Sequence, residues 1–158
     1  MDSILSYIGY YGPYILFLLS LLFVFPQKIL FLYTILGFIA NQSINSTFKH
    51  VFKQERPSNT FVHFTPSGHI VDIPVNKMSD TDKYGMPSGH SQSVWFLTTF
   101  LYLALKTTWI TLLFASIACI TSIQRVVYKN HTFTQVFVGA CFGIIFAYFY
   151  YHLFRKFT

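Results

Sequence analysis

At 158 residues, with 53% hydrophobic, 20% aromatic and only 10% charged content and a mean hydropathy of +0.48, the chain is too apolar for an ordinary soluble domain of its size. Eleven Lys and Arg against five Asp and Glu leave a net charge of +6, yet the basic residues are scattered between apolar runs and line no single patch, which excludes a nucleic-acid surface. The composition is that of one small membrane domain.

Crossing about 30 Å of hydrocarbon takes roughly 20 apolar residues. Five runs qualify: Ile4 to Phe25, Lys28 to His50, Gln92 to Leu105, Thr108 to Val127 and Thr132 to Phe154. The expected fold is therefore all-α, a polytopic membrane helix bundle with about five transmembrane helices, forming a single domain over 1–158 with its core at about 28–155. The first run carries Asp2, no basic flank and no small-residue cleavage site, so it reads as a retained helix rather than a signal peptide.

The second run is apolar only in its first half. Its second half holds Asn41, Gln42, Ser43, Asn45, Ser46 and Thr47, and polar residues at this depth normally face a bundle interior or a wet cavity. Lys49 and Arg56 follow, seven residues apart, a spacing of two helical turns that predicts one shared face. Pro57 disfavours helix at Arg56 and ends the span there. The connection over 57–86 mixes turn formers (Pro57, Ser58, Asn59, Pro66, Gly68) with the alternating stretch Ile70, Asp72, Pro74. It is expected to be a partly ordered cap over the site, with a short hairpin.

Tyr84-Gly85-Met86-Pro87-Ser88-Gly89-His90 then leads into the third run. A helix N-terminus offers free N–H groups and partial positive charge to an anion. Pro87 suits a helix start, Ser88 can cap or donate its hydroxyl, and Gly89 lets a ligand approach the backbone. The same tetrapeptide recurs as Pro66-Ser67-Gly68-His69, but ahead of a stretch that cannot seat a transmembrane helix, so His69 is expected in a loop. His50, His63 and His152 have no convergent partner in the sequence and are assigned solvated or interfacial positions. Arg125 and His131 are six residues apart, which does not share a helix face, so a break near Lys129 and Asn130 must return the chain and set His131 at the start of the last span. Cys119 and Cys141 lie inside apolar runs, where a thiol is a small hydrophobe. The histidines lack a compact ligand spacing, so no metal is expected.

The breaks sort into two sets. Lys28, Lys106, Arg155 and Lys156 lie on one side; Lys49, Lys53, Arg56, Lys77, Lys83, Arg125 and Lys129, with Asp2, Glu55, Asp72, Asp80 and Asp82, lie on the other. Setting aside the three functional cations, the bias of Lys and Arg toward the cytoplasm is even, and the compact acid-free set is taken as cytoplasmic. The polar, active face is then lumenal or extracellular.

Lys49-x6-Arg56-Pro57, Pro87-Ser88-Gly89-His90 and Arg125-x5-His131, in this order and at span ends, resemble the three-part motif of the type 2 phosphatidic acid phosphatase superfamily, over about Asn41 to Gly143. The resemblance implies a membrane phosphatase without a cofactor or metal. It implies His131 as the nucleophile that forms a phosphohistidine, His90 as the acid that protonates the leaving oxygen, and Lys49, Arg56, Arg125, Ser88 and the Gly89 backbone as the phosphate cradle. The superfamily usually has Asp four residues after the nucleophile, where this chain has Gln135. Gln135 can support the His131 ring by accepting its N–H, but brings no charge.

The segment His131-Thr132-Phe133-Thr134-Gln135-Val136 resembles the His-Thr-Trp-Ser-Gln-Val segment of dolichyl-diphosphatases, and Tyr84-Gly85-Met86, Ser91-Gln92 and Trp95-Phe96 are similar to that branch too. The expected function is hydrolysis of an isoprenoid-linked diphosphate, dolichyl or polyprenyl, to the monophosphate and phosphate. The resemblance places it in the endoplasmic reticulum or an equivalent membrane. The alternatives are a broad lipid phosphate phosphatase of the phosphatidate type and a catalytically inactive phospholipid-binding protein. The chain is short for the superfamily, lacking one usual span on its N-terminal side, and a homodimer is expected to compensate.

Overall fold

The structure, a computed structural model, describes residues 4–65 and 69–157; Asp2, Pro66 to Gly68 and the side chain of Asp80 lie outside that description. Five long helices form: α1 (Ile4–Val24), α2 (Lys28–Phe52), α4 (Gly89–Leu105), α5 (Thr108–Val127) and α6 (Phe133–Lys156). Between α2 and α4 lie β1 (Thr60–Phe64), β2 (Ile70–Pro74), a 3-10 turn at Val75–Lys77 and the single-turn α3 (Asp80–Lys83). The strands pair antiparallel, from Thr60 opposite Pro74 to Phe64 opposite Ile70.

Helices α1, α2, α5 and α6 are long and apolar enough to cross a membrane. The other long helix, α4, has 17 residues and packs against all four of the others. Leu18, Leu22, Leu32, Ile39, Leu112 and Phe149 stay exposed on the outer helices, where a bilayer would replace the missing protein partners. The expected polytopic helical bundle is therefore the observed one.

Helix α4 divides the bundle along its length. Its first turns bury Ser91, Gln92 and Ser93, and its later turns bury Val94, Phe96, Leu97, Phe100 and Leu101. Against it lies α6, seated by Gly139 and Gly143: a Cβ on Gly139 would sit 2.6 Å from the Ser88 carbonyl oxygen, and one on Gly143 would collide with the Gln92 carbonyl. Small residues let two helix backbones approach this closely.

The polar half of α2 is only partly turned inward. Asn41, Asn45 and Lys49, at a four-residue interval, are buried, but Gln42, Ser43 and Thr47 are exposed. Ser43 and Thr47 donate to the carbonyls of Ile39 and Ser43 on their own helix, so their hydroxyls need no interior partner.

Contrary to what their spacing predicts, Lys49 and Arg56 do not share a helix face. Helix α2 stops at Phe52, where Lys53 takes a left-handed conformation at φ 45° and donates its N–H to the Lys49 carbonyl. Lysine at a helix C-terminus is favoured by the macrodipole. Arg56 is carried to the site by the extended chain beyond that cap, where Glu55 bridges Tyr84.

Candidate active site

Lys49, Arg56, Gly89, His90 and His131 line one cavity of about 340 Å³, together with Tyr10, Phe61, His63, Asp82 and residues of α1, α2 and α4. Four separate chain segments supply the expected residues: the last turn of α2, the connection after it, the first turn of α4 and the turn between α5 and α6. A larger recess, about 720 Å³, opens on the far side of Arg56 between Glu55, Asn59, Asn76 and Tyr84. His90 and His131 line the smaller cavity and not this recess.

His131 is 3% exposed and held from both sides. Its Nδ1 lies 2.8 Å from the Gly85 carbonyl oxygen, and its Nε2 lies 3.1 Å from Arg56 Nη1. A carbonyl only accepts and a guanidinium only donates, so the ring must carry its proton on Nδ1 and its lone pair on Nε2. Burial first, then the positive charges of Arg56, Arg125 and Lys49, hold His131 well below the usual imidazole range, which keeps it neutral.

Arg56 also donates from Nε to the Asp82 carbonyl at 2.8 Å and from Nη1 to the Asn130 carbonyl at 2.8 Å. Burial lowers it to about 10, with the Asp82 charge opposing the shift, so it remains cationic at neutral pH. Asp82 sets Oδ1 3.6 Å from Lys49 Nζ.

Arg125 is fully buried at the end of α5. It donates from Nε to Gln124 Oε1 at 2.7 Å, and its Nη1 stands 3.5 Å from His90 Nε2, the outer edge of hydrogen-bond distance. Its guanidinium lies over the rings of Tyr10, at 5.0 Å, and Phe61, at 5.6 Å. Among the described residues, Arg125 Nη2 and Ser88 Oγ are buried without a hydrogen-bond partner. Ser88 stands at the N-cap of α4, but its hydroxyl makes no cap bond, and its N–H is taken by the Gln135 carbonyl.

Gln135 does not support the His131 ring. Its side chain is consumed by the start of α6: Oε1 accepts from the Thr132 N–H, closing a capping box, while Nε2 donates to Gln54 Oε1 and the Glu55 carbonyl. The ring is oriented instead by the Gly85 carbonyl, and a Cβ at Gly85 would collide with the Gln135 amide. Gln135 thus braces the segment that carries Arg56, and its amide donors are what that contact uses.

Sequence reasoning missed four other residues here. Asn130 is buried and pairs with Val62 like a strand neighbour, accepting from its N–H at 2.8 Å and donating to its carbonyl at 3.1 Å. That docks β1 beside the turn that carries His131. Tyr10 lies against His90, with ring centroids 5.7 Å apart, and its hydroxyl bonds His63 Nδ1. His63, expected at a solvated or interfacial position, therefore lines the cavity. Asp82 was legible only as one acid among several. His69, by contrast, is exposed, as a loop residue should be.

Comparison with known proteins agrees with this geometry. The family model described as PAP2 superfamily matches residues 28–158. The chain is 32% identical over 127 residues to dolichyldiphosphatase 1 of Mus musculus, covering 70% of this chain and 47% of that protein. It is 29% identical over 132 residues to lipid phosphate phosphatase gamma of Arabidopsis thaliana, covering 77% and 52%. The chain thus spans about half the length of the curated relatives it matches. Its fold is similar to the crystal structure of a transmembrane PAP2-type phosphatidylglycerolphosphate phosphatase from Bacillus subtilis, with a TM-score of 0.63, 19% identity and coverage of 98% of this chain and 75% of that one. With most of its length matched by the family model, and with Lys49, Arg56, Gly89, His90 and His131 of its motif lining one cavity, the chain belongs to the PAP2 superfamily.

Proposed function

We propose that the protein is a membrane phosphatase that hydrolyses an isoprenoid-linked diphosphate, dolichyl or polyprenyl, to the monophosphate and phosphate through a phosphohistidine, without a metal ion. The observation that carries this reading is charge. Lys49, Arg56 and Arg125 converge, yet among the described residues lining the cavity Asp82, paired with Lys49, is the one carboxylate. Burying cations costs several kcal/mol each unless an anion compensates, so the site is complete only with an anionic ligand.

The chemistry follows from the tautomer. The terminal phosphoryl group takes Lys49, Arg56, Arg125, the Ser88 hydroxyl and the Gly89 backbone as donors, and drawing Arg56 Nη1 onto the phosphate uncovers His131 Nε2. That lone pair attacks the phosphorus in line; the bond to the bridging oxygen breaks, its electron pair stays on that oxygen, and His90, which enters this step as the imidazolium, delivers its proton there. Water, deprotonated by His90, then attacks the phosphohistidine and releases phosphate. The Gly85 carbonyl holds the ring on axis throughout, and three cations supply the charge neutralisation that a metal would otherwise bring.

The names of the relatives support a lipid phosphate or diphosphate as substrate. The segment over 57–86 caps the site, the active face is lumenal or extracellular in the endoplasmic reticulum or an equivalent membrane, and the protein works as a homodimer; these accompany the same reading. The test is phosphate release by detergent-purified protein in EDTA from dolichyl diphosphate, phosphatidate and glucose 6-phosphate. Preference for the diphosphate, lost in His131→Ala and retained in His69→Ala, is expected. Preference for phosphatidate would favour the broad lipid phosphate phosphatase, and tight vanadate binding without turnover would favour an inactive binding protein.

A further inference from the structure

We infer that Tyr10 and His63 form a second anion subsite, next to the catalytic pair, which takes the phosphate of the leaving group when the substrate is a diphosphate. The inference rests on the reading above and assigns the residues that would make the site prefer a diphosphate to a monophosphate.

Position is the first argument. His90 faces the bridging oxygen in the proposed reaction, so whatever departs lies on the His90 side of the cavity. The Tyr10 ring is the neighbour there, with centroids 5.7 Å apart, and the His63 ring lies 5.4 Å from that of Tyr10. Both Tyr10 and His63 line the same cavity as His90 and His131. In β1 alternate residues share a face, and Phe61 and His63 both turn to the cavity, while Val62 between them is fastened to Asn130. Asn130 immediately precedes His131, so the strand that presents His63 is docked on the turn that presents the nucleophile.

Chemistry is the second argument. The Tyr10 hydroxyl and His63 Nδ1 are bonded to each other. If the hydroxyl donates, His63 carries its proton on Nε2; if Nδ1 donates, the phenol proton is left over. In either arrangement the pair keeps one donor for a ligand. Lys49, Arg56 and Arg125 are committed to the transferred phosphoryl group. As the bridging bond breaks, negative charge grows on the departing phosphate, and a donor fixed beside it stabilises that transition state. An alcohol leaving group has no phosphate oxygens to offer this donor.

The experiment compares farnesyl diphosphate with farnesyl monophosphate, which share one lipid tail and differ in the leaving group. In His63→Ala the diphosphate-to-monophosphate ratio of kcat/KM should fall by about 10- to 100-fold, the usual effect of losing a hydrogen bond to a charged group. Tyr10→Phe should lower it less, since its ring still covers Arg125, and His63→Gln should restore part of it. A ratio that stays within about threefold in His63→Ala overturns the subsite and leaves the pair as a strut between α1 and β1.

Calorimetric binding of inorganic pyrophosphate against inorganic phosphate supplies a readout that needs no turnover. Wild type should prefer pyrophosphate, and His63→Ala should lose that preference while still binding phosphate, which also shows that the variant is folded. Equal binding of both anions by wild type overturns the subsite even if dolichyl diphosphate is cleaved. Pyrophosphate preference in a protein that cleaves no lipid diphosphate would instead retain the subsite and overturn the proposed activity.

Discussion

The two halves of α4 solve different problems. Toward its N-terminus, Gln92 accepts from Asn45 Nδ2 at 2.8 Å and donates to both the carbonyl and the side-chain oxygen of Asn41 at 3.1 and 3.0 Å. Ser93 donates to Gln42 and accepts from Asn41, and Ser91 donates to the Val136 carbonyl. Toward its C-terminus, Phe96 and Phe100 stack at 5.8 Å and pack against Phe146, Tyr150 and Phe154 on α6. In lipid there is little hydrophobic drive between helices, so van der Waals packing and hydrogen bonds must specify the partner. The apolar half holds helices together and tolerates exchange of one apolar side chain for another. The polar half sets register, because its donors are met by acceptors at fixed places on α2 and α6, and register is what brings Lys49 on α2 and His90 on α4 to one cavity.

The sharpest way to break this comparison is at the cations. Arg125→Met should lower turnover by about 10²- to 10³-fold, as loss of one transition-state donor does, with the protein still folded by circular dichroism. Near-normal turnover would remove Arg125 from the cradle.

A smaller effect separates the two halves directly. Gln92→Leu should lower kcat/KM by about 10- to 100-fold through misalignment of α2 against α4, while Phe100→Leu should stay within about threefold, because an apolar residue still fills that space. Equal losses would mean that packing, not the amide network, sets register.

The smallest effect is that of pH. His131 is held well below its usual range by burial and neighbouring cations, whereas in the unfolded chain it takes up a proton near pH 6.5. The unfolded state therefore binds more protons below that point, so His131 makes stability fall as pH drops from about 6.5 toward the folded value and contributes no slope above it. The acid limb of kcat/KM due to this ring should likewise lie below about pH 6.5. Thermal midpoints of wild type and His131→Asn across that window check the sign: the variant should lose less stability on acidification.

The motif residues were legible from their order and spacing at span ends: Lys49 and Arg56, then Ser88 to His90, then Arg125 and His131. His90 and His131 could be picked out by their neighbours in sequence, and His69 set aside because its following stretch could not form a helix. The shared helix face of Lys49 and Arg56 was not correct, since spacing alone does not reveal that Lys53 would end α2. Gln135 differs for a related reason: four residues from His131 its position suggests a ring partner, but the capping box with Thr132 and the contacts to Gln54 and Glu55 claim its amide. His63 looked unpartnered because its partner, Tyr10, is 53 residues away.

Taken by itself, the sequence determined the helical bundle, the approximate limits of its long helices and the superfamily, because helix length, hydropathy and motif order are local properties of the chain. Only the tertiary structure decided that a backbone carbonyl, at Gly85, orients His131, that Asn130 docks β1 beside it, and that Tyr10 and His63 line the same cavity as His90. A carbonyl belongs to every residue and a hydrogen-bond partner can come from anywhere in the chain, so which groups meet is fixed by packing and register.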